Sequence, residues 1–408
     1  MRKTPNPTSP PMPAVPESGG KSQGGAANSQ RGEARRPFGR GPAVSLFTLG
    51  TMRAVDSPAQ MQAVVDAALA AGINHLETAP AYGPAETFLG QALRHRAEQG
   101  SLERQDIVLT SKLLPGGSAQ EGRQAVQASL QRLGLPSMDN LALHGLNTPE
   151  QLDWVLHGPG SELLDSLLEQ GLVGQVGFSS HGDNALIARA LDSGRFSFCS
   201  LHLHLFDQER LPLAQRALSQ AMGVMAISPA DKGGRLQDPP PLLVADCAPF
   251  APLQLAYRFL LSQGISTLTL GATGPADLAW AKQLGDAEGP LSNQERQAID
   301  QLQRAGQERL GMEWCGQCRA CLPCPQQVPI PALLRLRHMA LGHGMEAFAT
   351  ERYNLIGRAG PWWEQLDAQA CQRCGECLPR CPHNLPIPDL LADTHRRLSA
   401  APRRRLWG

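Results

Sequence analysis

The sequence predicts an α/β protein: a (β/α)8 barrel of the TIM type, followed by a small, mainly helical, cysteine-rich domain. Three observations in the 408-residue chain lead to this prediction. Eight short β-rich runs alternate with apolar segments of helical length. These runs span roughly 250 residues, the usual size of such a barrel. Eight of the ten cysteines then fall between Cys315 and Cys381, which predicts a second domain with its own chemistry.

The eight predicted strands follow one another as the strands of a parallel barrel do. Helix-like stretches such as 58–71, 119–133 and 252–263 separate them. An open, doubly wound sheet is the competing architecture, but a dinucleotide-binding sheet of that kind normally has a Gly-x-Gly-x-x-Gly turn after its first strand, and none is found there. The predicted strands are Val44–Leu49, Ile73–Thr78, Ile107–Ser111, Asn140–Leu143, Val176–Ser179, Cys199–Leu205, Val224–Ser228 and Thr267–Leu270.

The two ends of the chain have the composition of tails. Residues 1–40 hold seven prolines, two Gly-Gly pairs and hardly any large apolar side chain, so we predict that they are disordered. Near the other end, Arg403, Arg404 and Arg405 form a basic run that we expect to be solvated. The predicted organisation is a tail over 1–40, the barrel over 41–310, the cysteine-rich domain over 311–395 and a basic tail over 396–408.

Charge and hydropathy exclude several function classes. The 37 Lys and Arg residues balance 37 Asp and Glu residues, so no net field favours nucleic acid or anionic lipid. The sequence has no run of roughly 18 uncharged apolar residues and no apolar secretory leader. We expect a cytoplasmic protein with reduced cysteines and with no nucleic-acid or membrane partner. The isolated Cys199 and Cys247 are assigned no chemistry.

Residue types used in acid–base chemistry fall at the ends of adjacent predicted strands, where a barrel of this type places its active site. Glu77 lies at the end of the second strand, Lys112 of the third and His144 of the fourth, and Tyr82 follows Glu77 by five residues. The chain has only three tyrosines and five lysines, so composition alone does not explain this placement. Each residue singly also has a structural interpretation: a helix-cap partner, a packed aromatic, a salt-bridge member or a core histidine.

Together the four residues suit proton delivery to a carbonyl that receives a hydride. A tyrosine has an ordinary pKa of about 10, and a nearby ammonium favours its phenolate. We therefore predict that Tyr82 is the general acid and that Lys112 lowers its pKa. Glu77 would hold the lysine charged and in place, and a neutral His144 would orient the substrate oxygen.

The run Gly72-Ile-Asn-His-Leu-Glu-Thr-Ala-Pro-Ala-Tyr82-Gly-Pro-Ala-Glu86 resembles a pattern of the aldo-keto reductases. The family pattern reads Gly-Ile-Asn, then Asp-Thr-Ala, with Tyr-Gly and Ser-Glu following. The family's tetrad of Asp, Tyr, Lys and His corresponds to Glu77, Tyr82, Lys112 and His144. The resemblance covers about residues 43–310. It implies a reductase that uses NADP(H) or NAD(H) on a small-molecule substrate.

The resemblance also implies where the dinucleotide would lie. Residues 176–180 resemble the strand that holds the nicotinamide amide, 227–234 the loop around the pyrophosphate, and 270–273 the start of the adenosine phosphate site. Glu77 departs from the family by replacing an Asp, and 273–281 lacks the Arg, Glu and Asn that bind the 2′-phosphate and adenine. Because Thr273 cannot replace a bidentate guanidinium, we do not expect tight NADPH binding. The implied cofactor-binding residues are Ser179, Ser180, Ser228, Lys232, Gly271 and Thr273.

The cysteine-rich region contains an internal repeat with an offset of 57 residues. Each of its two cysteine runs is followed by a similar heptapeptide, Pro-Gln-Gln-Val-Pro-Ile-Pro in the first and Pro-His-Asn-Leu-Pro-Ile-Pro in the second. The second run has the bacterial ferredoxin spacing for a [4Fe–4S] cluster, and the first is one residue short of it. We therefore predict a ferredoxin-like domain with two [4Fe–4S] clusters. The two runs are Cys315, Cys318, Cys321 and Cys324, and Cys371, Cys374, Cys377 and Cys381.

In two-cluster ferredoxins the fourth cysteine of each run binds the other cluster. We therefore expect Cys381 to join the first three cysteines of the first run, and Cys324 to join the first three of the second. Structural zinc is the alternative, since paired Cys-x-x-Cys also suits a tetrahedral thiolate site. The domain resembles the ferredoxin-type extension of a subgroup of iron–sulfur aldo-keto reductases. Trp362 and Trp363, between the two runs, are interpreted as packing residues.

The combination predicts an oxidoreductase that reduces a carbonyl-type substrate with electrons from NAD(P)H, from the clusters, or from both. A nicotinamide transfers two electrons as hydride, a cluster transfers one, and no flavin motif is visible to join them. The clusters therefore either serve a substrate reduced in single-electron steps, with ferredoxin or another redox protein as donor, or are structural or regulatory. A non-enzymatic electron carrier or redox sensor on a degenerate barrel is the alternative. Segment 273–281 supports it, and the intact tetrad opposes it.

Overall fold

Eight parallel strands close into a barrel in the computed structural model, which describes residues 34–230, 234–360 and 364–401. The strands of the protein are Arg35–Phe38 (β1), Gly41–Ser45 (β2), Phe47–Gly50 (β3), His75–Glu77 (β4), Val108–Leu113 (β5), Met138–His144 (β6), Val173–Ser180 (β7), Phe198–His202 (β8), Gly223–Ile227 (β9) and Thr267–Gly271 (β10). Around the barrel they run in the order β10-β3-β4-β5-β6-β7-β8-β9. The predicted parallel barrel is therefore confirmed.

Each predicted run overlaps one barrel strand. The first run, Val44–Leu49, is divided in the structure, because β2 ends at Ser45 and the barrel strand β3 begins at Phe47. The strands carry mostly buried residues, as expected for a parallel sheet covered by helices on its outer side. The three strands predicted to carry the active-site residues, β4, β5 and β6, are neighbours in the barrel.

The helices follow the strands in alternation. Serines begin two of the early ones: Ser57 accepts a hydrogen bond from Gln60 N before α1, and Ser118 accepts one from Glu121 N before α3. The helices are Pro58–Ala70 (α1), Ala85–Glu98 (α2), Ala119–Leu133 (α3), Pro149–Leu156 (α4), Pro159–Glu169 (α5), Asn184–Asp192 (α6), Leu211–Ser219 (α7), Pro241–Cys247 (α8), Pro252–Ser262 (α9), Ala279–Leu284 (α10), Asn293–Leu310 (α11), Ile330–His343 (α12), Glu346–Tyr353 (α13) and Ile387–Leu398 (α14). No helix in the described ranges is long and apolar enough to cross a membrane.

An antiparallel hairpin of β1 and β2 covers the end of the barrel at which the strands begin. Phe38 is fully buried there against Phe198. Arg35 donates a hydrogen bond to the carbonyl of Gly72, and Arg36 to that of Ile265. The prediction of disorder up to residue 40 is therefore wrong for 35–40, because these arginines satisfy backbone carbonyls at strand starts. Residues 1–33 of the predicted tail lie outside the described part of the chain.

A layer of hydrogen-bonded side chains fills the barrel interior below the strand ends. His75 is fully buried, with Nδ1 2.8 Å from Thr48 Oγ1 and Nε2 2.7 Å from Thr110 Oγ1. Asn140 donates to the same threonine oxygen and accepts from Gln175. Burial lowers the pKa of His75 to about 3, so the imidazole is neutral and this layer carries no charge from it.

The cysteine-rich segment belongs to the same compact unit as the barrel. Helix α11 leads out of the barrel, and its Arg309 forms two hydrogen bonds, of 2.5 and 2.6 Å, to Asp246 of α8. Helix α12 crosses α11 closely, since Gly342 of α12 faces Gly306 of α11. Between residues 311 and 401 the described chain is helical or irregular.

The internal repeat folds alike in its two halves. Each cysteine run is a loop that precedes a helix, α12 or α14, and each helix has a proline in its first turn. Gln327 and Asn384, which follow the last cysteine of each run by three residues, both adopt the left-handed backbone conformation, with φ of 56° and 52°. Matching backbone at matching positions supports the structural equivalence of the two runs.

Candidate active site

Three adjacent strand ends bring the predicted tetrad together. Glu77 is the last residue of β4, Lys112 is the last but one of β5, and His144 is the last of β6. Neighbouring strands lie about 4.8 Å apart, so these side chains share one sector of the barrel mouth. Tyr82 reaches it from the loop after β4, where its backbone N donates to the carbonyl of Ala79. The structure places all four predicted residues in this sector.

Lys112 is the centre of the site. Its Nζ donates to Tyr82 Oη at 2.7 Å and to the backbone carbonyl of Thr78 at 3.2 Å, and it forms an ion pair with Glu77. Tyr82 Oη in turn donates to Glu77 Oε1 at 3.3 Å. The His144 ring stands edge-on to the Tyr82 ring, with centroids 5.9 Å apart. The Thr78 carbonyl is a site group that side-chain motifs could not reveal.

Burial sets the protonation states of the site. It raises the pKa of Tyr82 and lowers the pKa of Lys112 well below its usual value. Burial and the charge of Lys112 lower the pKa of His144 to about 3. The predicted neutral His144 agrees with this result. The predicted lowering of the Tyr82 pKa does not, because the loss of water around the phenol outweighs the nearby ammonium.

A raised pKa suits an acid that must keep its proton until the reaction needs it. At neutral pH Tyr82 is a phenol, and a carbonyl oxygen becomes a stronger base than phenolate only when it gains negative charge. Lys112 can then stabilise the phenolate at 2.7 Å. Glu77 is one methylene longer than an aspartate, and it therefore contacts both Lys112 and Tyr82.

The residues implied for the nicotinamide amide lie at the end of β7, and their hydroxyl groups are already hydrogen-bonded. Ser179 Oγ donates to the carbonyl of Leu143 and accepts from Gly145 N. Ser180 Oγ donates to the carbonyl of Leu146 at 2.7 Å and accepts from Gly182 N. Both hydroxyl protons are therefore engaged within the protein.

The residues implied for the phosphates are engaged in a similar way. Asp277 Oδ2 accepts from Thr273 N at 2.7 Å, Thr273 Oγ1 at 2.8 Å and Gly274 N at 3.2 Å. Gly271 ends β10 and lies against the side chain of Arg53. Ser228 follows β9 with a left-handed φ of 52°. Lys232 lies outside the described residues.

The cysteines of the two runs lie near one another. One small cavity is lined by Cys324 together with Cys371, Cys374 and Cys377. Cys315 lies within electrostatic range of Cys318 and Cys381, and Cys321 within range of Cys315, Cys318 and Cys377. The crossed pairing of the cysteines stays a prediction. All of these thiols are free of disulfides. No three His, Cys, Asp or Glu side chains in the described ranges are arranged to hold a single metal ion.

Burial raises the pKa of several of these thiols. The pKa of Cys321 rises to about 11, first through burial and then through its neighbouring cysteines, and the pKa of Cys377 rises for the same reasons. A cysteine whose pKa is raised remains a neutral thiol near neutral pH. A [4Fe–4S] cluster takes four thiolates, so these cysteines would bind one only after losing their protons.

Arginines that no sequence motif singles out hold the cysteine loops in place. Arg319, between Cys318 and Cys321, pairs with Glu209 at 2.5 Å in the loop after β8. Arg335 of α12 pairs with Asp207 of the same loop at 2.9 Å. Arg380 in the second cysteine run donates to the backbone carbonyl of Pro323 in the first. The first cysteine loop thus lies at the barrel mouth.

Comparison with known proteins places this barrel among the oxidoreductases. The profile of the aldo/keto reductase family matches residues 47–238. An aldo-keto reductase of Mycolicibacterium vanbaalenii is 30% identical over 218 residues, which cover 51% of this chain and 72% of that protein. The chain belongs to the aldo/keto reductase family.

Two further similar proteins share the sequence or the fold of the barrel. The uncharacterized oxidoreductase YtbE of Bacillus subtilis is 25% identical over 243 residues, covering 58% of this chain and 82% of that protein. The holo form of aldo-keto reductase AKR11C1 from Bacillus halodurans has the same fold, with a TM-score of 0.55 and 24% identity over 66% of this chain and 95% of that one. Aldo-keto reductases typically use NAD(P)H. The family match ends at residue 238, before the first cysteine run.

Proposed function

We propose that the protein reduces a carbonyl compound, with Tyr82 as the proton donor. The contact that carries the proposal is the hydrogen bond of 2.7 Å between Lys112 Nζ and Tyr82 Oη, beside the Glu77 carboxylate. In the net reaction, a carbonyl takes up two single electrons from the donor proposed below and two protons, and becomes an alcohol. Tyr82 supplies the proton that ends on oxygen, and solvent supplies the proton that ends on carbon.

Lys112 and His144 have different roles in the transfer of that proton from Tyr82. Because burial raises its pKa, the phenol holds its proton at neutral pH and gives it only to an oxygen that has gained charge. Lys112 then stabilises the phenolate. His144 is neutral and stands edge-on to the Tyr82 ring, so it orients the substrate oxygen by a hydrogen bond without competing as an acid.

We propose further that the cysteine-rich segment holds two [4Fe–4S] clusters with crossed ligands. Support comes from the ferredoxin-type spacing of the second run and from the cavity that Cys324 shares with three cysteines of that run. Such clusters supply single electrons when bound. The proposed ligand sets are Cys315, Cys318, Cys321 and Cys381, and Cys324, Cys371, Cys374 and Cys377.

The position of the cysteine loops favours a supply of electrons to the barrel from this segment. Leu322 of the first loop and His202 at the end of β8 line one cavity of about 200 Å³. Cys318 and Cys374 are exposed, so a redox protein such as ferredoxin can approach both runs from solvent. We propose that such a protein, rather than a soluble hydride carrier, is the donor.

The test is the replacement of Tyr82 by phenylalanine in the full chain, reconstituted with iron and sulfide and reduced with dithionite. Phenanthrenequinone is a suitable probe, because this conjugated dicarbonyl accepts single electrons at potentials within the cluster range, which reaches down to about −700 mV. We expect Tyr82→Phe to slow the reduction by about 10²- to 10⁴-fold and to leave the iron content unchanged. An unchanged rate would reject Tyr82 as the acid.

Tyr257→Phe provides a matched control. Tyr257 is also buried, but it belongs to α9 and packs against Phe47, with ring centroids 5.4 Å apart, away from the strand ends. We expect this variant to reduce the probe at the rate of the unaltered chain. Equal losses in both variants would indicate damage to the barrel rather than loss of an acid.

A non-enzymatic electron carrier or redox sensor is the second candidate. The observation that favours it is the engagement of Ser179, Ser180 and Thr273 within the protein. A carrier needs the clusters but not the tetrad. It therefore predicts that Tyr82→Phe and the unaltered chain exchange electrons with reduced ferredoxin and with the probe at the same rate.

A further inference from the structure

We propose that this barrel does not take up NADP(H) or NAD(H), because groups of the chain itself engage the described residues of the three places where the family resemblance puts the dinucleotide. These places are the adenosine phosphate site after β10, the pyrophosphate loop after β9 and the nicotinamide amide site at the end of β7. The inference does not depend on the role proposed for Tyr82.

At the adenosine phosphate site, a carboxylate occupies the position that suits an anion. The backbone N–H groups of Thr273 and Gly274 converge on Asp277 Oδ2, and the Thr273 hydroxyl donates to the same oxygen. Adjacent N–H groups in such a turn form an anion-binding concavity. Asp277 fills it with a negative charge, so an incoming phosphate meets repulsion instead of donors.

At the pyrophosphate loop, the cysteine-rich segment packs directly on the chain. A Cβ built on Gly234 would overlap with Met345 Cε and would lie 3.4 Å from Met339 Cε, so the two methionines cover this glycine. Arg235 beside it forms an ion pair with Glu351 of α13. Met339 of α12 and Met345 before α13 therefore cover Gly234, whereas the side chain of Arg235 remains 55% exposed. Residues 231–233 of the loop lie outside the described ranges.

At the nicotinamide amide site, the donors are used within the protein. The hydroxyl protons of Ser179 and Ser180 go to the carbonyls of Leu143 and Leu146. The carbonyl of Ser180 itself accepts from the guanidinium of Arg210 at 3.2 Å. An amide bound here would have to displace several hydrogen bonds between buried groups, which costs the desolvation of each group left without a partner.

Arg53 is the group on this surface that would attract a phosphate. Its side chain lies against Gly271, with Cδ 3.2 Å from the place of a glycine Cβ. It already takes part in an interaction within the protein. One cation alone does not provide the convergent donors of a phosphate site.

Isothermal titration of the full, reconstituted chain tests the inference directly. We expect no saturable binding of NADPH or NADH up to about millimolar concentration, where a ligand gains only about 4 kcal/mol. Saturable binding of either dinucleotide by the unaltered chain would overturn the proposal. Because this readout is binding, it is distinct from the loss of reduction expected for Tyr82→Phe.

A second titration isolates Asp277. Adenosine 2′,5′-bisphosphate is the probe, since it carries the phosphates without the nicotinamide end. We expect Asp277→Ala to bind it at least about tenfold more tightly than the unaltered chain, because the backbone donors become free and a negative charge is lost. The control is Asp286→Ala, a change of an exposed acid in the same region. Equal binding by the two variants would reject the role assigned to Asp277.

Discussion

Replacing Lys112 by methionine removes the positive half of a buried ion pair at the centre of the site. The side chains of Lys112 and Glu77 are 3% and 5% exposed, so solvent screens the pair only weakly. Removal of one partner leaves an uncompensated buried charge, and we expect Lys112→Met to lower the free energy of unfolding by about 3–5 kcal/mol. Glu77→Gln leaves the ammonium without its carboxylate and should cost a similar amount.

The double variant distinguishes this mechanism from a loss of packing. With both charges gone, neither side chain is left uncompensated, and we expect Lys112→Met with Glu77→Gln to cost less than either single change. Urea unfolding followed by tryptophan fluorescence measures all three. Arg216→Met is the control, because Arg216 and Asp192 form an ion pair of 2.5 Å with both side chains 45% exposed. Its loss should cost at most about 1 kcal/mol. If the double variant lost as much free energy of unfolding as the two single variants together, the two charges would not be coupled as a buried ion pair.

Three further outcomes are expected. Glu77→Asp should keep the ion pair with Lys112 but lose the contact with Tyr82 Oη. We therefore expect it to reduce phenanthrenequinone within about tenfold of the unaltered rate, and we expect a larger loss of rate for Glu77→Gln. Equal losses of rate in the two variants would contradict a role of the Glu77 charge in holding Lys112. The free energy of unfolding should fall as pH drops from about 6.5 toward 3, because only the unfolded chain protonates His75 in this range. His75→Gln should reduce the slope of the free energy of unfolding against pH by up to about 1.4 kcal/mol per pH unit. An unchanged slope would exclude His75 as the source of this pH dependence. With crossed ligands, Cys324→Ser combined with Cys371→Ser should retain about four of eight irons, as either single variant does, whereas complete iron loss would place Cys324 on the other cluster.

The sequence was most informative where local pattern decides structure. Eight apolar runs bounded by turn residues predicted every barrel strand, because a strand buried on both faces needs such a run. Glu77, Tyr82, Lys112 and His144 could be placed together because parallel strands end at one mouth. The equivalence of the two cysteine runs was predicted from the similar segments that follow them. In the structure Gln327 and Asn384 have the same left-handed backbone conformation.

Features that depend on distant contacts could not be read from the sequence. The hairpin at 35–45 has a basic, Gly- and Pro-containing sequence, and its stability comes from carbonyls of Gly72 and Ile265, which are far along the chain. The raised pKa of Tyr82 depends on how completely the fold removes water from it. The packing of Met345 on Gly234 joins segments about a hundred residues apart, so no local pattern signals it.

Asp277 is a residue that sequence reasoning missed although a signal was present. Segment 273–277 reads Thr-Gly-Pro-Ala-Asp, in which an acidic side chain four residues after a Thr can turn back to the backbone N–H groups at the start of a helical turn. The absence of an arginine had indicated weak phosphate binding. In the structure the Asp277 carboxylate accepts hydrogen bonds from these backbone N–H groups. This segment therefore presents a negative charge to a phosphate, instead of the positive charge of an arginine.

We propose that electrons from the cysteine-rich segment and a proton from Tyr82 meet on one carbonyl. A single turnover under anaerobic conditions measures both. The reconstituted full chain is reduced with dithionite, freed of excess reductant and mixed with phenanthrenequinone, and cluster absorption is followed in the unaltered chain and in Tyr82→Phe. We expect rapid reoxidation of the clusters in the unaltered chain and a reoxidation slower by about 10²-fold or more in the variant. Reduction of the probe by NADPH with no change in the clusters would overturn the proposal.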